Sequence, residues 1–208
     1  LESTKSKLKF AQPIRDYNGA LYASINLRDS TVFDLYKVFL DGRKPQLVYQ
    51  NPGKITSWIP SADGVVRLAL TSDSAQESIL YRATEGDKFQ EVASNDFKTS
   101  IYPFGYAGQS ATHIYALSNQ NRDKLAIVEY DVSKGEEVRE VFADVDMDVN
   151  WEGYSHYLKK PLFASTSACS KHYAFFDPTM RSVYDAVQQK FKGFSIDFTD
   201  VDRNLDNF

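Results

Sequence analysis

Four short segments decide the fold of this chain: Leu21-Tyr22-Ala23-Ser24, Arg67-Leu68-Ala69-Leu70, Tyr115-Ala116-Leu117-Ser118 and Phe163-Ala164-Ser165-Thr166. Each places one alanine inside a strand-like stretch of aromatic or aliphatic residues. These alanines are separated by 46, 47 and 48 residues along the chain. A fixed period of about this length indicates a repeat architecture in which each repeat is one supersecondary unit. The sequence therefore predicts four similar units in succession.

Two further series of residues follow the same period. Trp58, Phe104 and Trp151 are 46 and 47 residues apart and precede Ala69, Ala116 and Ala164 by 11 to 13 residues, where the preceding strand of each unit should run. The turn glycines Gly42, Gly86 and Gly135 are spaced less regularly, by 44 and 49 residues. Both series support a repeat of about 47 residues.

The secondary structure predicted from the sequence is almost entirely β. The chain contains 13 Tyr and 14 Phe, and its β-branched and aromatic runs alternate with turn residues. The predicted strands are 21–26, 33–39, 46–49, 65–71, 78–83, 114–118, 125–130, 138–142, 162–167 and 173–176. The predicted turns between strands are Asp41-Gly42, Asp63-Gly64, Glu85-Gly86-Asp87 and Lys134-Gly135.

A unit of this length with about four short strands has the size of a β-propeller blade, which favours a propeller over a sandwich. We expect an all-β fold of about four blades of four antiparallel strands, forming part of a larger propeller. The predicted repeats span residues 10–52, 53–98, 99–145 and 146–193, and 194–208 would begin a further blade. Alanine suits inner strands that crowd together near a central channel.

One segment departs from the β pattern and predicts an amphipathic helix. Asp177 is suited to the N-cap, Pro178 to the first helical position and Gly193 to the stop. The apolar residues that follow have helical spacing and are Met180, Val183, Tyr184, Val187 and Phe191. Because the polar face carries Asp185 as well as Lys190, we expect a helix packed on the side or rim of the propeller and not a membrane or partner-binding helix.

Composition excludes several classes of protein. The 208 residues carry a net charge of −4, which disfavours a nucleic-acid binder because phosphate binding needs a clustered basic surface. No stretch of about 18 apolar residues would span a membrane. The single cysteine, Cys169, provides neither an internal disulfide nor a zinc site. The polar start of the chain, 1–7, lacks Met and an apolar signal core and is typical of a processed or excised form.

Several runs resemble the propeller of prolyl oligopeptidase-family serine peptidases. The first is Ile114-Tyr115-Ala116-Leu117-Ser118-Asn119, followed by Asn121-Arg122-Asp123-Lys124 and Val128-Glu129-Tyr130-Asp131. The second is Tyr173-Ala174-Phe175-Phe176-Asp177-Pro178 with its helix, and the closing Ser195-Ile196-Asp197 is similar too. The resemblance runs from about Pro13 to the C-terminus. It implies an N-terminal propeller that restricts the access of peptides to a C-terminal α/β-hydrolase domain.

The sequence departs from that family where catalysis is concerned. It ends at Phe208 after about four blades, and the nucleophile elbow G-x-S-x-G, whose glycines permit the sharp strand-to-helix turn, is absent. Three near misses centre on Ser110, Ser155 and Ser195, and each lacks the last glycine. We therefore expect no catalytic residue in this chain, whereas the parent protein that the resemblance implies is a serine peptidase.

Metal and cofactor sites are not predicted either. His113, His156 and His172 form no H-x-x-x-H pair, and Cys169 with His172 supplies two ligands at most. Two alternating acidic runs resemble the start of a calcium loop, but their sixth positions are Val149 and Leu205 instead of glycine. These runs are Asp144, Asp146, Asp148 and Asn150, and Asp200, Asp202, Asn204 and Asp206. We expect solvated loops at both.

The resemblance implies a non-catalytic propeller portion of a secreted or periplasmic serine peptidase, whose partners are its hydrolase domain and peptide substrates. No nucleic acid, membrane span or cofactor is expected. The alternative is a stand-alone propeller-like protein that binds or scaffolds a partner through loops on one face. A partial propeller exposes unpaired strand edges and should self-associate through them. A monodisperse monomer that unfolds cooperatively would favour the stand-alone protein.

Overall fold

The computed structural model describes residues 6–11, 19–73, 76–167, 171–198 and 205. Its strands form three four-stranded sheets and one three-stranded sheet. In every sheet the strands are antiparallel and lie in chain order. The predicted all-β architecture of successive blade-like sheets with one helix is confirmed.

The chain divides into two compact units, of which the first is Leu1–Asp96. Its first sheet contains β1 (Leu8–Phe10), β2 (Leu21–Asp29), β3 (Val32–Val38) and β4 (Gln46–Tyr49). Its second sheet contains β5 (Ile55–Pro60), β6 (Val66–Asp73), β7 (Gln76–Tyr81) and β8 (Gln90–Asn95). A hydrophobic core that draws on both sheets includes Tyr22, Leu35, Ile55, Trp58, Val66 and Ala69.

The second unit is Phe97–Phe208. Its four-stranded sheet contains β9 (Ile101–Tyr106), β10 (His113–Ser118), β11 (Ala126–Asp131) and β12 (Glu136–Phe142). Its three-stranded sheet contains β13 (Val149–Ser155), β14 (Lys160–Ser167) and β15 (Lys171–Phe175), and α1 (Pro178–Lys190) follows. Among the described residues this fourth sheet has three strands and not the predicted four, because the chain turns into α1 directly after β15.

The repeated alanines occupy one equivalent position in the four sheets. All of them lie on the second strand and are fully buried, and each pairs with a residue of the third strand. The pairs are Ala23 with Tyr36, Ala69 with Leu80, Ala116 with Val128, and Ala164 with Ala174. The sequence period therefore corresponds to a structural repeat.

The second series of repeated residues lies on the first strand of its sheet, as predicted. Trp58 pairs with Ala69, and Trp151 pairs with Ser165. Phe104 lies at a register shift, where β10 pairs first with Gly105 and then with Pro103. The extra residue of such a bulge bends the strand locally. The polar strand β8 and the three-residue β1 were not among the predicted strands.

Two glycines of the second unit let aromatic rings approach the backbone. A Cβ atom on Gly105 would overlap the ring of Tyr154, and one on Gly153 would overlap the ring of Phe163. Tyr154 also donates a hydrogen bond from its hydroxyl to the carbonyl of Tyr106, at 2.7 Å. Both glycines are thus required for the packing of β9, β13 and β14.

The helix α1 begins as the sequence predicts. Asp177 caps it by accepting hydrogen bonds from the amides of Thr179 and Met180, with Pro178 in the first turn. Met180 is fully buried. The helix ends at Lys190, three residues before Gly193, whose φ of 84° is left-handed. No helix in the described part of the chain has the length and apolar character that a bilayer span requires.

Asp177→Asn is expected to lower the free energy of unfolding by about 1 kcal/mol at neutral pH. The amide retains a capping oxygen but loses the ion pair with Lys160, whose Nζ lies 3.0 Å from Oδ2. Burial tends to raise the pKa of Asp177, but hydrogen bonds from Lys160 and the Thr179 amide outweigh it and hold that pKa below its ordinary 3.8. Denaturant titrations over a pH series measure the difference.

The pH dependence distinguishes charge from packing in this substitution. The pKa of Asp177 is lower in the folded protein than in the unfolded chain. The stabilisation from its charge is therefore complete at pH values above the ordinary pKa and is lost as the pH falls through the folded-state pKa. The difference in the free energy of unfolding between wild type and Asp177→Asn should therefore become smaller below about pH 3.8. Asp185→Asn, in an exposed pair with Arg181, is the control and should cost less than about 0.5 kcal/mol. A difference in stability between wild type and Asp177→Asn that stays the same at acidic pH would contradict the role of the Asp177 charge.

Candidate functional site

A cluster of ionisable side chains in the first unit is the candidate site. Tyr22 lies on β2, Lys37 on β3, and Glu85 in the loop between β7 and β8. The Tyr22 hydroxyl donates to Glu85 Oε1 at 2.6 Å, and Lys37 Nζ lies 3.0 Å from the same oxygen. Tyr22 is buried, whereas Lys37 and Glu85 are 28% and 37% exposed. The cluster is therefore anchored in the core and reaches solvent through one carboxylate and one ammonium group.

Arg82 lies beneath this cluster and is only 2% exposed. Its Nε donates to the carbonyl of Val66 at 2.8 Å, and its Nη1 donates to the carbonyl of Glu85 at 2.7 Å. Its Nη2 is buried and makes no hydrogen bond to a described residue. The guanidinium lies over two rings, 4.7 Å from the centroid of Phe89 and 5.3 Å from that of Tyr49. Cation–π attraction in a desolvated site accounts for this placement.

The position of Arg82 is apolar in the other three sheets. The Arg82 amide donates to the carbonyl of Arg67, which places it two residues beyond the partner of the repeated alanine. The residues at the same register in the first, third and fourth sheets are Val38, Tyr130 and Phe176. A charged residue where the repeat has apolar ones is a local violation of the fold's pattern, and such violations concentrate at functional sites.

The ionisation of the cluster suits recognition better than proton transfer. Burial, followed by the hydrogen bond to Glu85, raises the pKa of Tyr22 well above its ordinary value. Burial lowers the pKa of Arg82. Burial also works to raise the pKa of Glu85, but hydrogen bonds from Tyr22 and Lys37 outweigh it and lower that pKa. At neutral pH the hydroxyl keeps its proton and the carboxylate is ionised, so the site offers fixed charges to a ligand.

A serine, a histidine and an aspartate approach one another at the end of the third sheet. The Ser110 oxygen lies 3.2 Å from His113 Nδ1, and His113 pairs with Asp131 across β10 and β11. The same serine oxygen accepts hydrogen bonds from the amides of Thr112 and His113. The oxygens of Asp131 are bound to Ser133 and Lys134. This arrangement is a closed turn and not a nucleophile with its base and orienting acid.

The other two near-miss serines are Ser155 and Ser195. Ser155 is buried at the last residue of β13, where its hydroxyl oxygen accepts a hydrogen bond from the Leu158 amide. Ser195 is exposed in the segment after α1. None of the three serines lies at a strand-to-helix turn, where a nucleophile elbow would be found.

The remaining metal-ligand candidates do not converge where they are described. His156 packs edge-on against Tyr154, and His172 is exposed on β15. In the first acidic run, Asp144 accepts from the amides of Asp146 and Met147, and Asp148 accepts from that of Leu125. Among the described residues no group of three or more His, Cys, Asp or Glu side chains has metal-binding geometry. Cys169 and the acidic run Asp200, Asp202, Asn204 and Asp206 lie outside the described residues.

Comparison with solved structures gives a distant structural neighbour. No protein-family model matches the chain, and no curated protein matches it. A solved structure similar to it is a puromycin-hydrolysing peptidase from Mycobacterium tuberculosis, with 13% sequence identity and a TM-score of 0.42. The match covers 79% of this chain and 26% of the peptidase chain. The chain thus spans about a quarter of that protein's length, and a likeness this distant assigns neither a family nor an activity.

The sequence reasoning missed the cluster around Arg82. A signal for it exists, because Arg82 and Arg67 both stand at register positions that are apolar in the other sheets. That signal depends on knowing the pairing. The partner of the repeated alanine lies 13, 11, 12 and 10 residues after it in the four sheets. A constant sequence period therefore does not align the third strands.

Proposed function

We propose that this chain is a non-catalytic β-propeller portion of a prolyl oligopeptidase-like serine peptidase, where it gates the access of peptides to an α/β-hydrolase domain outside these 208 residues. The observation that carries the proposal is the structural repeat itself. Four successive antiparallel sheets bear a buried alanine at one register position, about 47 residues apart. Antiparallel four-stranded units of this length are the building blocks of propellers.

The candidate site is consistent with a gating role. Glu85 and Lys37 present opposite charges at the surface, and the buried Arg82 holds the Glu85 carbonyl in place. Fixed charges of this kind select among passing peptides without performing chemistry on them. The expected partners are accordingly the hydrolase domain and its peptide substrates. A secreted or periplasmic location of the parent is part of the same proposal.

A second candidate function is that of a stand-alone protein that binds a partner through one face. The same cluster favours it, because all four of its residues belong to the first unit and need no further domain to assemble. Loops that are held by a rigid sheet are common binding surfaces. The two functions differ in whether a hydrolase domain belongs to the same protein.

Treatment of the chain with a fluorophosphonate probe tests the absence of catalysis. We expect neither peptidase activity nor covalent labelling, because the hydroxyl of Ser110 is engaged in a closed turn and that of Ser155 is buried and accepts a hydrogen bond from the Leu158 amide. Activity is measured with fluorogenic peptides and labelling with intact-mass spectrometry. Reproducible labelling that disappears in Ser110→Ala or Ser155→Ala would overturn the proposal.

The sequence of the native gene beyond the codon for Phe208 distinguishes between the two proposed functions. Further blade-like repeats followed by G-x-S-x-G and by later Asp and His codons would support the peptidase portion. A stop codon directly after Phe208 would instead support the stand-alone binding protein. Expression of the longer product, followed by the same labelling experiment, then tests whether its serine is reactive.

A further inference from the structure

The fourth sheet ends on β15, at the place where each of the other three sheets continues to a fourth strand. The Phe176 amide donates to the carbonyl of Leu162 at 2.8 Å, so these two residues form a hydrogen-bonded pair. Such pairs alternate along an antiparallel ladder, and the backbone groups of Ala174 and His172 therefore face β14. The backbone groups that point away from β14 are those of Lys171, Tyr173 and Phe175.

The equivalent backbone groups are paired in the complete sheets. In the first sheet, Leu35 pairs with Tyr49 and Lys37 pairs with Gln46, both on β4. In the third sheet, Ile127 and Glu129 pair in the same way with Phe142 and Arg139 on β12. In the fourth sheet no described residue pairs with the outer side of β15. A row of backbone donors and acceptors is thus left open there.

The helix packs on a face of β15 and, within the described residues, does not pair with its outer edge. The ring of Tyr184 lies 5.3 Å from that of Tyr173 and 5.2 Å from that of Phe175. Phe198 packs on the same two rings. No residue of β15 is fully buried. Open edges of this kind are templates for an additional strand.

We propose that a second copy of this chain pairs with the outer edge of β15, antiparallel to it about a two-fold axis at Tyr173. The three outward residues are spaced symmetrically about Tyr173, so one copy of the edge complements another. In this register Tyr173 pairs with Tyr173 of the second copy, and Lys171 pairs with Phe175 of the second copy. Every outward N–H and C=O of the three residues then has a partner.

The charges on the edge are compatible with this pairing. Lys171 forms an ion pair with Asp197 of its own chain, which offsets the positive charge at the interface. The two-fold register places this lysine beside the Phe175 ring of the second copy, where a cation is attracted to the aromatic face. The two copies of Lys171 lie at opposite ends of the paired strands. A second copy is therefore a suitable occupant on both backbone and electrostatic grounds.

The oligomeric state of the full 208-residue chain tests the proposal. Light scattering across a concentration series should show a reversible dimer of twice 23.6 kDa. Lys171→Pro removes one outward N–H at the first residue of an edge strand, a position that tolerates proline. It should raise the dissociation constant at least about tenfold, since two hydrogen bonds are lost across the axis. Lys171→Ala, which loses the ion pair and keeps the N–H, should remain dimeric.

A disulfide experiment tests the register and does not depend on the proline variant folding. Residues 172 and 174 of opposite copies form a non-hydrogen-bonded pair, with Cα atoms about 4.5 Å apart, which suits a disulfide. Chains carrying His172→Cys and Ala174→Cys, each in a Cys169→Ser background, are mixed and oxidised. We expect the mixture to cross-link faster than either variant alone.

Three results would overturn the proposal. They are a wild-type chain that stays monomeric at every concentration, a Lys171→Pro chain that dimerises as well as Lys171→Ala, and a mixture with no preferential cross-link. The inference rests on β15 alone, so its failure leaves the peptidase proposal intact. Conversely, a serine that reacts with the fluorophosphonate probe would leave the dimer unaffected.

Discussion

Replacing Gly105 by alanine is expected to lower the free energy of unfolding by about 1–3 kcal/mol, the usual cost of overpacking a core. The added Cβ would overlap the ring of Tyr154, which packs on the backbone of β9. That ring is held by its hydroxyl, which donates to the Tyr106 carbonyl at 2.7 Å. In an ordinary strand the same substitution is stabilising, because glycine loses the most backbone entropy on folding. Denaturant unfolding followed by tryptophan fluorescence measures the change.

Gly86→Ala is the matched control for this prediction. Gly86 lies in the loop between β7 and β8, has no left-handed φ, and a Cβ there would meet only the Thr84 hydroxyl at 3.9 Å. We expect a neutral or slightly stabilising effect of under about 1 kcal/mol. Combining Gly105→Ala with Tyr154→Leu should cost less than the sum of the two single changes, because the smaller side chain relieves the overlap. An unchanged stability of Gly105→Ala would contradict the close packing of Tyr154.

The repeated strands were predictable from the sequence because their buried positions are periodic. The four alanines are fully buried, and their spacing is preserved although the hairpins differ in length. The strands that escaped prediction have no such periodicity. β8 (QEVASN) is polar and half of its residues are exposed, and β1 (LKF) is only three residues long. Their pairing is determined by the neighbouring strand and not by their own residues.

The start of α1 was predictable, but its consequence for the sheet was not. Asp177 and Pro178 are local signals, and the structure uses both at the first turn. In the fourth sheet the helix follows the third strand, and the outer side of β15 is left open among the described residues. Whether a helix leaves such an edge open depends on the number of strands that precede it in the sheet. No local sequence signal indicates the number of strands in the sheet. The open edge is therefore visible only in three dimensions.

The candidate site could not be predicted, for a similar reason. The Arg82 guanidinium lies over Phe89, which directly precedes β8, and over Tyr49 of β4, 33 residues earlier in the chain. Glu85 accepts hydrogen bonds from Tyr22 on β2 and Lys37 on β3, which are 63 and 48 residues away in the chain. A lone arginine near the end of a predicted strand is ordinarily a surface residue. Its burial is a property of two packed sheets.

Arg82→Ala is expected to lower the free energy of unfolding by about 2–5 kcal/mol, because two backbone carbonyls lose their donor and a large buried side chain is removed. The truncation deprives the carbonyls of Val66 and Glu85 of their donor and leaves a cavity beside the ring of Phe89. Arg43→Ala is the control, because Arg43 also lies over a ring, 4.0 Å from the centroid of Phe39, but its side chain is 62% exposed. It should cost less than about 1 kcal/mol. A loss below about 1 kcal/mol in Arg82→Ala would contradict the buried network.

Arg82→Met separates stability from function at this position. Methionine fills most of the volume without the charge, and replacing a buried ionic group by an apolar one of similar size is often neutral or stabilising. The other sheets hold Val38, Tyr130 and Phe176 here, so the fold itself accepts an apolar side chain. If Arg82→Met is as stable as wild type, stability does not explain why an arginine occupies this position. The hydrogen bond from Arg82 to the Glu85 carbonyl, which positions Glu85 in the candidate site, would then be its explanation. If it is as unstable as Arg82→Ala, the hydrogen bonds to Val66 and Glu85 support the packing of the first unit.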